Sequence, residues 1–321
     1  MPGPQAALPV ENGSASGEIM TTLRDAGEPS LSVRRVPGRG PSLIYVHGSS
    51  FPSALSINYA IDGTSWADHL QARGFDVWSF DFPGYGGSER PSPATSPGEG
   101  SGDVPGRGAE AVRHVERVVR HILERTGSER VSIIAHSWGA IPAALFAGRF
   151  RELVDRLVLF GPVCRRDGDV EASASPLLLV TADDQWRNFR SGVPEGHGPP
   201  MAKDRFDDWA RTYLQSDAAS ATRLPPSVEV PAGPAVDIAE AWSGRLAYDP
   251  ALIRSPTLIV RGEWDTVTRD SDAEWLTAAM TGVPGGARDC RLAHGAHRMH
   301  LEDNRAALFD AVAAFLQEGS R

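Results

Sequence analysis

The stretch VSIIAHSWGAIPAALFAG, residues 131–148, decides how the rest of the chain is interpreted. It begins as a short apolar strand and continues as an alanine-rich helix, with Ser137 at the turn between them. Ala135 and Gly139 lie two residues before and after the serine. Small residues are needed there, because a strand that turns directly into a helix leaves no room for larger side chains. A serine in this setting is either a helix cap or a nucleophile, and the surrounding sequence must discriminate between them.

On both sides of this stretch, short β-branched runs alternate with longer amphipathic segments. This alternation is typical of βαβ units that build a largely parallel sheet. We therefore predict an α/β fold with a mostly parallel eight-stranded sheet flanked by helices. The predicted strands are Glu18–Leu23, Ser30–Arg34, Ser42–His47, Asp76–Phe80, Val131–Ala135, Leu157–Phe160, Thr257–Arg261 and Asp289–Leu292. The predicted helices nearest to these strands are Ser65–Gly74, Ala109–Gly127 and Asp272–Thr281.

The alternation stops over residues 164–250, which are rich in aromatic residues and in Pro- and Gly-containing turns, and it resumes afterwards. An interruption followed by resumption indicates an insertion into one domain rather than a second domain. We predict a core over 18–163 and 251–321, with a mainly helical inserted cap between the two parts. Residues 1–17 are predicted to form a disordered leader, and the Pro-, Gly- and Ser-rich run Pro91–Gly108 a surface loop.

Composition excludes several classes of function. The chain has 321 residues with 32 basic and 41 acidic side chains, which gives a net charge of −9. Nucleic acid is not an expected partner, because its binding requires clustered cations. The sequence has neither a secretory signal pattern nor an apolar run long enough to span a membrane, so we expect a cytoplasmic protein with Cys164 and Cys290 as free thiols. The oligomeric state stays open.

Three further features occur where a nucleophilic serine requires them. One strand leads into His47-Gly48-Ser49-Ser50, a glycine-bearing turn able to bring a backbone N–H beside the serine. A late strand runs into Arg261-Gly262-Glu263-Trp264-Asp265, which places an acid at the carboxyl end of the sheet. The strand after it leads into a loop with three histidines. The chain order is therefore serine, aspartate, histidine.

These features together resemble the α/β-hydrolase fold superfamily, and in particular a serine hydrolase with a cap inserted after strand six. The segment Asp81–Ser88 is also similar to the D-x-x-G-x-G-x-S turn common after the fourth strand in this family. The resemblance covers nearly everything from Glu18 to the C-terminus. It implies that Ser137 is the nucleophile, that a histidine is the general base and that Asp265 orients it. The mechanism needs a small-molecule substrate but no cofactor and no metal.

The histidine has to be chosen among His294, His297 and His300. His297 stands in G-A-H-R-M-H-L-E, which is similar to the family pattern between loop and helix, so we predict His297 as the base. The spacing of the three histidines matches no familiar metal site. Glu263 is a minor competitor for the acid. The Asp183-Asp184 pair follows another strand-like run, which we place inside the cap.

The resemblance also implies an oxyanion hole made by the backbone N–H groups of Ser49 and Trp138, with Ser50 as an alternative by one residue. Aromatic residues of the cap indicate an apolar substrate pocket, and the alternative is that they form the cap's own small core. The candidate pocket residues are His47, Ser50, Trp186, Phe189, Trp209 and Trp242.

A serine rather than an aspartate at position 137 argues against haloalkane dehalogenase and epoxide hydrolase chemistry and leaves acyl transfer. We predict a serine hydrolase that acts through an acyl-enzyme on an ester, lactone or thioester of a medium-sized apolar small molecule. A carbon–carbon bond hydrolase and an aminopeptidase similar to proline iminopeptidases are alternatives, because they use the same residue types. A non-hydrolytic cyclase, lyase or ligand-binding member of the fold is a further alternative, because fold alone does not determine function.

Overall fold

The structure, a computed structural model, describes residues 12–13, 17–90, 104–171 and 175–318. The eight predicted strands lie in one sheet, which a two-residue strand extends at one edge. In chain order the sheet contains β1 (Asn12–Gly13), β2 (Ile19–Leu23), β3 (Leu31–Val36), β4 (Ser42–Val46), β5 (Asp76–Phe80), β6 (Val131–His136), β7 (Val154–Phe160), β10 (Thr257–Gly262) and β11 (Arg288–Leu292). The prediction of a mostly parallel α/β sheet is confirmed.

The order of strands across the sheet is β1-β2-β3-β5-β4-β6-β7-β10-β11. From β5 to β11 every neighbouring pair is parallel, whereas β3 pairs antiparallel with both β2 and β5. The carboxyl ends of the parallel strands therefore meet at one edge. Ligand sites of open α/β sheets form at this edge.

Helices cover both faces of the sheet. Within β4, Leu43 and Tyr45 pack with α1 (Trp66–Ala72) and α8 (Arg305–Gln317), whereas Ile44 and Val46 face the opposite way and pack with α2 (Gly108–Thr126) and α3 (Ala140–Arg149). This alternation follows from the two-residue period of a strand that is buried on both sides. The helices of the core are α1 (Trp66–Ala72), α2 (Gly108–Thr126), α3 (Ala140–Arg149), α7 (Asp270–Ala279) and α8 (Arg305–Gln317).

Local signals account for the ends of the predicted helices. The Ser65 hydroxyl accepts the Asp68 N–H at 3.0 Å and the Asp68 carboxylate accepts the Ser65 N–H at 2.9 Å, which together form a capping box at the start of α1. Helix α2 ends at Gly127, whose φ of +70° suits glycine. The helices are thus where the capping residues predict them.

In its described residues, the segment between β7 and β10 contains three α-helices, as its predicted mainly helical character requires. It also contains a pair of antiparallel strands that are not among the predicted strands. These elements are β8 (Leu177–Thr181), α4 (Ala182–Phe189), α5 (Lys203–Gln215), β9 (Ser227–Pro231) and α6 (Gly233–Trp242). Strand β8 is the apolar run before Asp183-Asp184. Thr181 and Asp184 form the capping box of α4, so Asp184 stabilises the start of a helix in the segment predicted as the cap.

Most of the predicted leader and most of the loop Pro91–Gly108 lie outside the described residues, which leave out 1–11, 14–16 and 91–103. In the part of the chain that the structure describes, no helix is both long and apolar enough to cross a membrane.

Helix α2 offers a test of the core. Ile122 is fully buried under the sheet, while Glu124 is exposed on the same helix. We expect Ile122→Ala to lower the free energy of unfolding by about 2–5 kcal/mol, because burial is lost and a cavity remains. The matched Glu124→Ala should change it by less than about 0.5 kcal/mol. Urea unfolding followed by circular dichroism measures both, and equal effects would contradict the assigned packing.

Candidate active site

The backbone turns sharply at Ser137, between β6 and α3. Its φ is +57°, in the left-handed region that residues other than glycine rarely adopt. A Cβ on Gly139 would lie 2.4 Å from the His47 carbonyl oxygen, and Ala135 is fully buried. The need for small residues around the serine therefore comes from the adjacent end of β4. Backbone strain of this kind costs about 1–3 kcal/mol and persists only where the surroundings enforce it.

Ser137, His297 and Asp265 come together at the carboxyl edge of the sheet, and each is more than nine-tenths buried. The His297 Nε2 lies 2.8 Å from the Ser137 Oγ, and its Nδ1 lies 3.1 Å from both carboxylate oxygens of Asp265. The Asp265 Oδ1 also accepts the N–H groups of Val267 at 2.8 Å and Thr268 at 3.1 Å. The carboxylate is thus fixed as an acceptor, so Nδ1 of His297 carries the proton and Nε2 accepts from the serine hydroxyl.

The competing side chains lie elsewhere. His294 is exposed and stacks on Trp264, with ring centroids 5.3 Å apart. His300 is buried and its Nε2 bonds to the Ser56 hydroxyl at 3.0 Å. The Glu263 carboxylate accepts the His294 N–H at 3.0 Å. The described residues contain no group of three His, Cys, Asp or Glu side chains arranged to hold a metal ion.

Gly161, directly after β7, lies against the His297–Asp265 pair. Its φ is +54°, and a Cβ there would lie 2.9 Å from the Asp265 Oδ2 and 3.0 Å from the His297 Nδ1. Any side chain at this position would displace the pair. The sequence motifs above do not mark this glycine, and its only signal is a Phe-Gly-Pro turn directly after a buried strand.

The turn after β4 packs against the serine. A Cβ on Gly48 would lie 3.0 Å from the Ser137 Cβ, so Ser49 directly follows a point of contact with the Ser137 turn. His47 is fully buried, its Nε2 accepts the Phe82 N–H at 3.0 Å, and its Nδ1 donates to the Gly48 carbonyl at 2.7 Å. Burial lowers the pKa of His47, which keeps the ring neutral. Both ring nitrogens therefore serve to order this turn.

Asp81 holds the same turn from the other side. Its Oδ1 accepts the Ser53 N–H at 2.9 Å and the Ser53 hydroxyl at 2.6 Å, and its Oδ2 accepts the Gly87 N–H at 3.1 Å. A Cβ on Gly86 would lie 2.3 Å from this carboxylate. The Asp81–Ser88 segment thus clamps the turn that contains Ser49.

A family model described as the alpha/beta hydrolase fold matches residues 41–304. The chain belongs to the α/β-hydrolase fold family. Among curated sequences, uncharacterized proteins of Mycobacterium bovis and Mycobacterium tuberculosis are 30% identical to it over 148 residues. The match covers 43% of this α/β hydrolase and only 36% of each relative, so the chain spans about a third of their length.

Solved structures with the same fold cover nearly the whole chain. A serine hydrolase involved in carbazole degradation, the CarC enzyme, has a TM-score of 0.63 at 20% identity and covers 97% of this chain and 99% of its own. A thioesterase domain from the curacin biosynthetic pathway has a TM-score of 0.62 at 15% identity and covers 96% and 100%. An epoxide hydrolase of Vigna radiata has a TM-score of 0.61 at 14% identity and covers 95% and 100%. At these identities the likeness shows the fold alone.

In this α/β hydrolase Trp138, the residue after Ser137, is hydrogen-bonded to α6, in the segment predicted as the cap. The Trp138 indole N–H donates to the Asp237 Oδ2 of α6 at 2.8 Å, and the same oxygen accepts the Gly108 N–H at 2.6 Å. The Arg107 guanidinium forms ion pairs with Asp237 and with Glu240. Asp237 is buried and therefore requires such partners. Sequence motifs give no signal for this contact, because Trp138 and Asp237 are 99 residues apart.

The aromatic pocket candidates of α4 and α5 are largely packed on one another. Phe189 and Trp209 are fully buried with ring centroids 5.2 Å apart, and the Trp209 indole N–H donates to the Leu55 carbonyl at 3.0 Å. Trp186 is half-buried and lies 4.7 Å from the Phe206 ring. The alternative that these aromatics form the core of the cap thus has direct contacts in its favour, and this core extends onto the turn after β4.

The other two pocket candidates lie at the margins. Trp242 is half-buried under the Arg166 guanidinium, which lies 4.5 Å from its ring centroid. Ser50 has a φ of +79°, and its hydroxyl donates to the Ser49 carbonyl at 2.6 Å. Ser50 is therefore a constrained part of the turn beside Ser137.

Glu302 and Arg298 are buried next to the His297–Asp265 pair. Burial, reinforced by Asp265, raises the pKa of Glu302 to about 8, although its Oε2 accepts the Ala296 N–H at 2.9 Å. Burial lowers the pKa of Arg298 to about 10, so it stays cationic at neutral pH. The pKa of His300 is well below its usual value, first because of burial and then because of Arg298. A charged arginine thus lies among groups that are mainly neutral.

Glu302 makes stability depend on pH. Its pKa in the folded protein is raised from 4.5 to about 8, so its contribution to stability is complete below the unfolded-state pKa and is lost as pH rises through about 8. Glu302→Gln keeps an acceptor for the Ala296 N–H and does not ionise. We expect the Tm of the wild type to fall relative to that of the variant between about pH 5 and about pH 9. Calorimetric scans across this range measure it, and parallel profiles would show the assignment to be wrong.

Proposed function

We propose that this α/β hydrolase is a serine hydrolase that forms an acyl-enzyme at Ser137, with His297 as general base and Asp265 as its orienting acid. One observation carries the proposal, the continuous hydrogen-bond chain from the Ser137 Oγ through His297 to Asp265. Its location on a strained turn, where the helix N-terminus faces the reacting atoms, gives further support.

In the acylation step, Ser137 attacks a carbonyl carbon while its proton passes to the Nε2 of His297. Asp265 stabilises the resulting imidazolium and is held in orientation, because its oxygens accept from His297 and from two backbone N–H groups. His297 then returns the proton to the leaving group. In the second step a water molecule, deprotonated by the same histidine, hydrolyses the acyl-enzyme.

The tetrahedral intermediate needs two hydrogen-bond donors for its oxyanion, and we assign these to the backbone N–H groups of Trp138 and Ser49. Support comes from the Gly48 contact with Ser137, and from the Asp81 and Asp237 bonds that fix the two donor segments. Removal of one such donor typically costs about 3–4 kcal/mol of transition-state stabilisation.

The substrate that we propose is an ester, lactone or thioester of a small molecule with an apolar portion, held between the turn after β4 and the cap. An epoxide hydrolase is among the structural neighbours, but a serine at the nucleophile position favours acyl transfer. The acids of α5 give no support to a peptidase, because Asp207 pairs with Lys203 and Asp208 with Arg211 on the exposed side of the helix.

Labelling with a fluorophosphonate tests the nucleophile. We expect the wild type to be labelled at Ser137 and Ser137→Ala to be unlabelled, because the probe reacts with serines activated by a general base. Ser132→Ala is a matched control, since this serine is buried in the same strand and should leave labelling intact. Equal labelling of wild type and Ser137→Ala, or a folded wild type that resists the probe, would refute the proposal.

Turnover separates the substrate classes. We expect p-nitrophenyl esters, acyl thioesters or lactones to be hydrolysed by wild type, and Ser137→Ala to lower kcat by roughly 10⁴-fold or more. Aminoacyl anilides are the control class. Faster turnover of anilides than of esters would establish the peptidase alternative, and equal rates for the two proteins would indicate a reaction that does not use Ser137.

Substitution of Gly161 tests whether activity depends on the position of the His297–Asp265 pair. Gly161→Ala introduces a methyl group 2.9 Å from the Asp265 Oδ2, so we expect kcat/KM to fall by about 100-fold through displacement of the His297–Asp265 pair. Gly127→Ala is the matched control, because this glycine also has positive φ but no atom within 4 Å of the added Cβ. Gly161→Ala should lose more stability than Gly127→Ala on thermal unfolding, because only its methyl group meets other atoms, so both are assayed at a temperature at which they are folded. Normal activity of Gly161→Ala would contradict the assigned role of the pair.

A further inference from the structure

Arg298 directly follows His297 and carries its charge into the boundary between core and cap. The residue is 8% exposed. Its guanidinium carbon lies 5.8 Å from the ring centroid of Phe51, on the turn after β4, and 5.3 Å from that of Phe189, at the end of α4. These two aromatic contacts place a cation where the turn that contains Ser49 meets the cap.

This cation has no acidic partner among the residues that the structure describes. Its hydrogen bond there runs from Nη2 to the Gln185 Oε1 at 3.3 Å, and its Nε has no acceptor in that part of the chain. The carboxylates that interact electrostatically with Arg298 are those of Glu302 and Asp265. Burial raises the pKa of Glu302 and its Oε2 accepts the Ala296 N–H, whereas Asp265 is committed to His297. A buried arginine normally has a carboxylate or phosphate partner, because removing a charge from water is costly.

Gln185 adds a second donor at the same place. It is fully buried, its carbonyl oxygen accepts from Arg298, and its Nε2 makes no hydrogen bond of normal geometry among the described residues, where the Tyr213 hydroxyl is its polar neighbour. Two neighbouring buried side chains, one of them charged, thus each keep a donor without an acceptor. A carboxylate is the group that satisfies both, because it offers two acceptor oxygens and matches the guanidinium fork.

We propose that Arg298 and Gln185 form a subsite for a carboxylate, so that the substrate carries a carboxylate at a distance from the bond that is cleaved. This inference rests on the proposed function for the position of the reacting bond. Phe51 and Phe189 flank the guanidinium, which places this subsite where the turn after β4 meets the cap. Binding of the anion itself depends on Arg298 and not on Ser137.

The kinetic test compares substrates that differ in one charge. The acyl-side pairs are mono-p-nitrophenyl adipate, suberate and sebacate, each against its methyl ester, and the leaving-group pair is p-butanoyloxybenzoate against its methyl ester. For at least one pair we expect a higher kcat/KM for the anion. We expect Arg298→Met to lower kcat/KM for that anion by about 10- to 100-fold more than for its neutral partner. No preference for an anion in any pair would overturn the proposal.

Matched variants separate recognition from packing. Arg190→Met removes an exposed cation of the cap near Trp186 and should leave the preference intact. Arg298→Lys keeps the charge without the fork, so we expect part of the preference to remain. If Arg298→Met slows both members of a pair equally, Arg298 has a structural role alone and the proposal is wrong.

Gln185→Glu supplies a carboxylate within the protein. It places an acidic oxygen at the position that accepts from Arg298, so we expect a higher Tm and loss of the anion preference, with neutral esters still hydrolysed. An unchanged preference would contradict a site at which Arg298 pairs with the substrate.

An equilibrium measurement is independent of turnover. Calorimetric titration of Ser137→Ala with hexanoate and with hexanamide should show binding of the anion only, and Arg298→Met in the same background should abolish it. If fluorophosphonate labelling fails but hexanoate binds through Arg298, the proposed function fails and the anion site stands. If labelling succeeds and neither hexanoate nor the half-esters are preferred, the anion site alone is refuted.

Discussion

The φ of +57° at Ser137 is the constraint around which this end of the sheet is organised. A serine in this conformation is unfavourable by itself, and its neighbours leave no alternative path for the chain. Gly139 contacts the His47 carbonyl and Gly48 contacts Ser137, so the turn after β4 and the Ser137 turn fit together only without side chains at those two positions. His47 and Asp81 then hold the β4 turn in place through buried hydrogen bonds. The strain is thus balanced by packing within the core.

The order of the strands explains where Asp265 and His297 lie and why a glycine occupies position 161. Ser137 follows β6, Asp265 follows β10, His297 follows β11, and β7 lies between the first two strands. The residue that leaves β7 therefore passes directly beneath the His297–Asp265 pair. That residue is Gly161, because even a methyl group would enter the space of the carboxylate. A parallel sheet with this order imposes a glycine there for geometric reasons.

The sequence predicts the features that depend on neighbouring residues. Strands, the Ser65 and Gly127 helix ends, and the small residues around Ser137 all follow from local sterics and hydrogen bonding. Gly161, Asp237 and Arg298 are not predictable in this way, since their surroundings come from residues far away in the chain. The aromatic cap residues show a different limit. Aromatic residues such as Phe189 and Trp209 are typical both of an apolar pocket and of a packed core. Only their contacts in the folded chain distinguish between these two roles.

Helix α6 is held to the core by buried polar contacts. By sequence, α6 belongs to the insertion, yet Asp237 bonds to Trp138 and to the start of α2, and it is neutralised by Arg107 from the core. Helix α5 is joined to the core by exposed Arg205 ion pairs, which are weak in water, and by the buried Trp209, which packs on Phe51 and donates to the Leu55 carbonyl. Buried polar contacts therefore join α6 to the core, although its residues lie in the segment predicted as an insertion. These contacts of α6 thus fix the orientation of the Trp138 side chain directly beside Ser137.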